Sequence, residues 1–140
     1  MSATPAPSPQ APLIIVVEDH PLVAKFYRMA LERIGGFRVE ITEDALRVMQ
    51  LAEGGQAALV ILDVSLRDTF WEGRPLDGME LSRMLKQRTA GRLPILLATA
   101  HAMAGERERI LAESAADGCL EKPIYDAELL VSTVRSLLAN

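Results

Sequence analysis

Residues 58–63 read ALVILD, five apolar residues followed by an aspartate. The run is too short for a helix and rich in branched side chains, and it lacks the polar alternation of a strand with one wet face. Such a segment is buried on both faces, which places it inside a parallel sheet covered by helices. LIIVV (13–17) and PILLA (94–98) read the same way, while FRVEI (37–41) and GCLEK (118–122) are weaker strands suited to the sheet edges. Helical patterns fall between the strands. Leu22, Val23, Phe26, Tyr27, Ala30, Leu31 and Ile34 recur at i, i+3, i+4 spacing between Pro21 and Gly35-Gly36, and predict an inward stripe. A second helix over 43–53 turns Ala45, Val48, Met49 and Ala52 inward. Asp77, with Glu80 three residues on, forms a capping pair for a third helix through Leu81, Met84 and Leu85. Residues 103–115 give a fourth, more charged helix. Asp126 caps a fifth, expected to bury Leu129, Leu130, Val134, Leu137 and Leu138. Five successive βα units with right-handed crossovers predict an α/β fold with one doubly wound, five-stranded parallel sheet.

The chain of 140 residues is long enough for one domain with a real core. No internal repeat or second domain is visible. Residues 1–12, MSATPAPSPQAP, hold four of the eight prolines and no charged side chain, so they read as a disordered Pro/Ala-rich tail before a domain over 13–140. The tail lacks the basic start and apolar centre of a secretory signal. No apolar run approaches the roughly 18 residues that a membrane helix needs. A net charge of −4 argues against a nucleic-acid partner, since phosphate backbones attract clustered Lys and Arg. The single Cys119 cannot make an internal disulfide. A cytoplasmic protein, with no nucleic-acid or membrane partner, is expected.

Sites in such sheets form outside the carboxyl ends of the strands. Glu18 and Asp19 follow the first apolar run, Asp63 the third, Thr99 and Ala100 the fourth, and Lys122-Pro123 the fifth. Any one acid at a strand end is ordinarily just solvated. Three carboxylates, a hydroxyl and an amine converging on one crevice are different: like charges repel unless a cation lies among them, and hard oxygen ligands suit Mg²⁺.

These motifs, VVEDH (16–20), LVILD (59–63), LLATA (96–100) and LEKPI (120–124), in this order and at βα spacing, resemble the receiver domain of bacterial two-component response regulators over residues 13–139. The resemblance implies a (βα)5 flavodoxin-like fold with strand order 2-1-3-4-5. It implies that Asp63 accepts a phosphoryl group from a histidine kinase or phosphotransfer protein. Glu18, Asp19, Asp63 and the backbone carbonyl of Ser65 would hold Mg²⁺, although Glu18 reads equally as an acid behind the ligands. Thr99 and Lys122 would hold the phosphoryl oxygens, and Pro123 is expected to follow a cis peptide. Ser65 and His101 are positioned to influence how long the phosphoryl group survives. With the last helix ending at Asn140, the expectation is a stand-alone receiver. It would not be an enzyme beyond self-catalysed transfer and slow autodephosphorylation. It would signal through protein contacts with a downstream target or a second copy, on the face of the fourth helix, fifth strand and fifth helix.

Two departures from the family pattern matter. Cys119 occupies the position of the Tyr or Phe that usually acts with Thr99 as the switch. It reads either as a small core residue or as a redox sensor, and its size favours an alternative function as a phosphorylation-independent binding module. Second, the segment RDTFWEG lengthens the path from Asp63 to Asp77-Gly78, and Arg67 lies where a proline is common. Phe70 and Trp71 are two of only six aromatic residues. They either pack back on the third helix or form a partner-facing lip. An aspartyl phosphatase is disfavoured, because the residue two beyond Asp63 is Ser65 rather than a second aspartate.

Overall fold

A computed structural model describes residues 7–100 and 103–140. Its main sheet contains β1 (Leu13–Val17), β2 (Arg38–Ile41), β3 (Ala57–Asp63), β6 (Ile95–Thr99) and β7 (Gly118–Glu121). All pairings are parallel, in the order β2-β1-β3-β6-β7. This is the anticipated order, with β2 and β7 at the edges. The helices are α1 (Pro21–Met29), α2 (Ala45–Glu53), α3 (Gly78–Arg88), α4 (Ala104–Ser114) and α5 (Ala127–Leu138).

Period-two geometry splits each central strand between two cores. Ile15, Val17, Val60, Leu62, Ile95 and Leu97 pack with Val48, Met49, Leu81, Leu85 and Ile110 of α2, α3 and α4. Ile14, Val16, Leu59, Ile61 and Leu96 pack with Tyr27, Leu130, Val131 and Val134 of α1 and α5. With both faces dry, polar groups can collect only at the strand ends.

The caps follow the sequence. Asp77 and Glu80 form a reciprocal capping box on α3, Asp126 accepts from Leu129 N at 3.0 Å, and Pro21 opens α1. Two helical stripes differ in phase from expectation. Leu129 is about half exposed and Val131 is buried instead, because the α5 stripe runs through 130, 131 and 134. In the first helix the buried residues are Tyr27, Ala30 and Leu31, while Leu22 and Ile34 are exposed. That helix also widens to π pitch over Ala30–Ile34.

The inserted segment is an antiparallel hairpin, not a plain loop. β4 (Phe70–Trp71) pairs with β5 (Arg74–Pro75) across a two-residue turn, Glu72-Gly73, with φ of 52° and 79°. Two consecutive positive φ values match the twist that tight hairpins favour. Leu76 N donates to Thr69 O at 2.9 Å and closes the base.

The start of α3 lies against β3. A Cβ on Gly78 would fall 2.1 Å from the Asp63 carbonyl oxygen, so glycine is required there. Gly78→Ala should lower stability by about 2–3 kcal/mol in chemical denaturation. Gly105→Ala in α4, where the added carbon meets nothing within 4 Å, should leave stability unchanged or raise it by up to about 1 kcal/mol.

Candidate functional site

The carboxyl ends of β1, β3 and β7 open into a cleft of about 400 Å³ lined by Glu18, Asp19, His20, Pro21, Val23, Asp63, Ser65, Arg67 and Lys122. Parallel register creates it: Val17 lies opposite Leu62, Asp63 opposite Ala98 and Thr99 opposite Glu121, so neighbouring strands end together. Asp63 is 7% exposed. Its Oδ1 accepts from Ser65 N at 2.8 Å, and its Oδ2 is in close contact with the Lys122 ammonium. Lys122 is fixed in turn, because its backbone N donates to Thr99 O at 2.7 Å; its peptide to Pro123 is cis.

Glu18 is 5% exposed and accepts from His20 N at 3.3 Å. Burial, and after it the negative charge of Asp63, pushes the Glu18 carboxyl above its usual range. The same surroundings push the buried Tyr27 phenol up, with burial the main cause and Glu18 and Asp63 adding to it. Three carboxylates, of Glu18, Asp19 and Asp63, line this cleft, and their hard oxygens suit a divalent cation such as Mg²⁺.

Asp19 is exposed and has a second set of acidic neighbours. Asp19, Glu43 and Asp68 each bring a carboxylate oxygen within 4.8 Å of the others. Burial and the charges of Asp19 and Asp68 push Glu43 up. Sequence reasoning missed both Glu43 and Asp68. Glu43 follows the end of β2 and obeys the strand-end rule that singled out the others. Asp68 is carried by the insertion and has no such signal.

The structure brings Glu18, Asp19, Asp63, Ser65 and Lys122 together. Thr99 is buried, 2% exposed, at the end of β6, where its carbonyl accepts from the backbone N of Lys122. His101 lies outside the described residues. Cys119 is 1% exposed and packs in the core shared by α2, α3 and α4. Phe70 and Trp71 differ in role. Phe70 is 52% exposed, whereas Trp71 packs on the core beneath the hairpin, with the Arg88 guanidinium 5.0 Å from its ring centre.

Comparison with known proteins agrees with this geometry. A family model for the response regulator receiver domain matches residues 14–135. The transcriptional regulatory protein CusR of Escherichia coli (strain K12) is 35% identical over 125 residues, covering 89% of this chain and 50% of CusR. The chain therefore spans about half the length of that relative. The polar-differentiation response regulator DivK of Brucella anthropi is 27% identical over 128 residues, covering 91% of this chain and 96% of DivK. Among solved structures, the receiver domain of the sensor histidine kinase PA1611 from Pseudomonas aeruginosa PAO1 superposes with a TM-score of 0.74 at 25% identity, covering 93% of this chain and 99% of that one. That domain has a magnesium ion coordinated in its active site cleft.

Burial pushes the Cys119 thiol up, and Arg107 offsets this only in part. The folded state therefore holds the thiol proton more tightly than the unfolded chain. Its contribution to stability is complete below the ordinary thiol pKa and falls as pH rises past it. Alkylation of native protein by iodoacetamide at pH 8 should run at least about tenfold slower than after denaturation, as an inaccessible, protonated thiol requires. Equal rates would show that Cys119 is open to reagents.

Proposed function

The chain belongs to the response regulator receiver family, and from that membership and its cleft we propose that Asp63 takes a phosphoryl group from a histidine kinase or phosphotransfer protein in a Mg²⁺-dependent step. The supporting observation is the Asp63 carboxylate itself. It is nearly buried, with a Ser65 N–H on one oxygen and the Lys122 ammonium on the other, in a cleft also walled by Glu18 and Asp19. Such a carboxylate is aimed and ready as a nucleophile. One Asp63 oxygen forms the bond to phosphorus, the bond to the donor histidine nitrogen breaks, and that nitrogen keeps the electron pair. Lys122 and Thr99 are assigned to the phosphoryl oxygens. Lys122 offsets the added charge, where most of the catalytic gain in phosphoryl transfer arises.

Glu18, Asp19, Asp63 and the Ser65 carbonyl are the residues assigned to Mg²⁺, which when bound supplies positive charge beside the transferred oxygens. The magnesium in the PA1611 cleft supports this assignment. Receiver domains are signalling modules, and the chemistry here is self-catalysed transfer and slow hydrolysis. The signal passes to a protein target or a second copy on the α4, β7 and α5 face, within the cytoplasm. No described helix is long and apolar enough to cross a membrane. A phosphorylation-independent adaptor is the second reading, favoured by Cys119 in place of an aromatic ring.

Incubation with Mg²⁺ and acetyl phosphate, read by intact mass, separates the two. The native chain should gain one phosphoryl group, and Asp63→Asn or chelation with EDTA should abolish the gain. An unmodified native chain, where another receiver reacts, would support the adaptor. The hairpin gives a further expectation, with Phe70 as the partner contact and Trp71 as its anchor. Phe70→Ala should leave labelling by acetyl phosphate unchanged and slow transfer from the cognate kinase about tenfold, the typical weight of an aromatic anchor.

A further inference from the structure

The chemistry above uses one side-chain cation of the protein, yet a second faces the same space. Arg67 lines the cleft with Glu18, Asp63 and Lys122. It is exposed, and among the described residues it makes no hydrogen bond or ion pair. Several other exposed arginines are paired, Arg47 with Glu40, Arg74 with Glu80 and Arg88 with Glu53. Among the described residues Arg33 and Arg107, like Arg67, are not, and of these three only Arg67 lines the cleft.

The backbone carrying Arg67 is pinned on both sides. Val64 N donates to Ala98 O at 2.9 Å and Gly78 N donates to Val64 O at 3.0 Å. Beyond Arg67, Thr69 is 1% exposed and its carbonyl closes the hairpin base with Leu76 N. Trp71, packed on the core and beside Arg88, holds the hairpin itself. A short span between fixed points limits where the guanidinium can reach, and the cleft is within that range. The inserted hairpin therefore does more than lengthen a loop, because it anchors the chain just beyond a free cation at the phosphoacceptor.

Resting on the Asp63 reading, we infer that Arg67 is a second phosphoryl-binding cation, whose guanidinium pairs with the phosphoryl oxygens as they arrive on and leave Asp63. Transfer converts a singly charged carboxylate into an acyl phosphate that carries about one further negative charge. A planar guanidinium can meet two phosphoryl oxygens with a pair of parallel N–H bonds, a fork that an ammonium does not offer. With acetyl phosphate, the bond from phosphorus to the acetyl oxygen breaks, acetate departs with the electron pair, and an Asp63 oxygen takes its place. Arg67 stabilises charge on the oxygens in flight, both in this step and when water later removes the group.

The test compares native protein, Arg67→Ala and Arg67→Lys, incubated with Mg²⁺ and acetyl phosphate and followed by intact mass during labelling and again after donor removal. Arg67→Ala should still be labelled, about tenfold more slowly, as expected for loss of a charge-assisted hydrogen bond. Its adduct should also outlive the native one severalfold, and lysine should restore both rates only in part. Native-like labelling by Arg67→Ala overturns the inference. So does slow labelling that lysine rescues fully with an unchanged adduct lifetime, since that describes a rim charge steering an anionic donor. A native chain that takes no phosphoryl group overturns the Asp63 reading, and the role of Arg67 with it.

Discussion

Asp63 and Lys122 meet at the mouth of a sheet that is dry on both faces. That contact sets the charge balance of the cleft. Glu18 and Asp63 are both nearly buried, and the lysine in contact with Asp63 leaves Glu18 without a comparable partner. Burial first, and the charge of Asp63 after it, push the Glu18 carboxyl above its usual range. Removing one member of a buried ion pair typically costs about 3–5 kcal/mol, because the remaining charge has no water to turn to. Lys122 therefore holds the Asp63 carboxylate in place, and the remaining carboxylates of the cleft offer hard oxygens to a cation.

Backbone geometry holds these charges in register. Thr99 O accepts from Lys122 N, tying the end of β6 to the residue that carries the ammonium. On the other side of Asp63, the glycine at the start of α3 lets the helix approach the Asp63 carbonyl more closely than any side chain would permit. Asp63 is thus fixed by the strand behind it, the turn in front of it and the helix beside it. The proposed role for Asp63 needs this kind of support, because small displacements at reacting atoms cost large factors in rate.

The central strands and helix caps were legible because their signals are local. A strand buried on both faces must be continuously apolar, so LIIVV, ALVIL and PILLA declare themselves, and the polar residue after each run is brought to one edge by parallel register. Asp77 with Glu80, and Asp126, are legible because a cap bonds within its own turn. The hairpin was hidden by its size. Two-residue strands have no period to detect, Pro75 reads as a breaker, and Glu72-Gly73 is a weaker turn signal than Asn-Gly. The phase of a helical stripe was uncertain by one position, which exchanged Leu129 for Val131. The proximity of Asp19, Glu43 and Asp68 is tertiary, joining a strand end, a helix entrance and the insertion, and no spacing rule encodes it.

Cys119 bears on how a change at Asp63 could travel. The small buried thiol packs among Leu97, Ile110 and their neighbours and has no ring to swing between two positions. Any movement of Thr99 must therefore act through what Thr99 already touches. One such path is main chain: Thr99 pairs with Glu121 across the β6–β7 ladder, and its carbonyl holds the Lys122 N–H. A shift at that carbonyl would reach Lys122 and the Ile124–Tyr125 loop that leads into α5 without passing through residue 119. The main chain thus links the end of β6 to Lys122 and the entrance of α5 without involving the side chain at position 119.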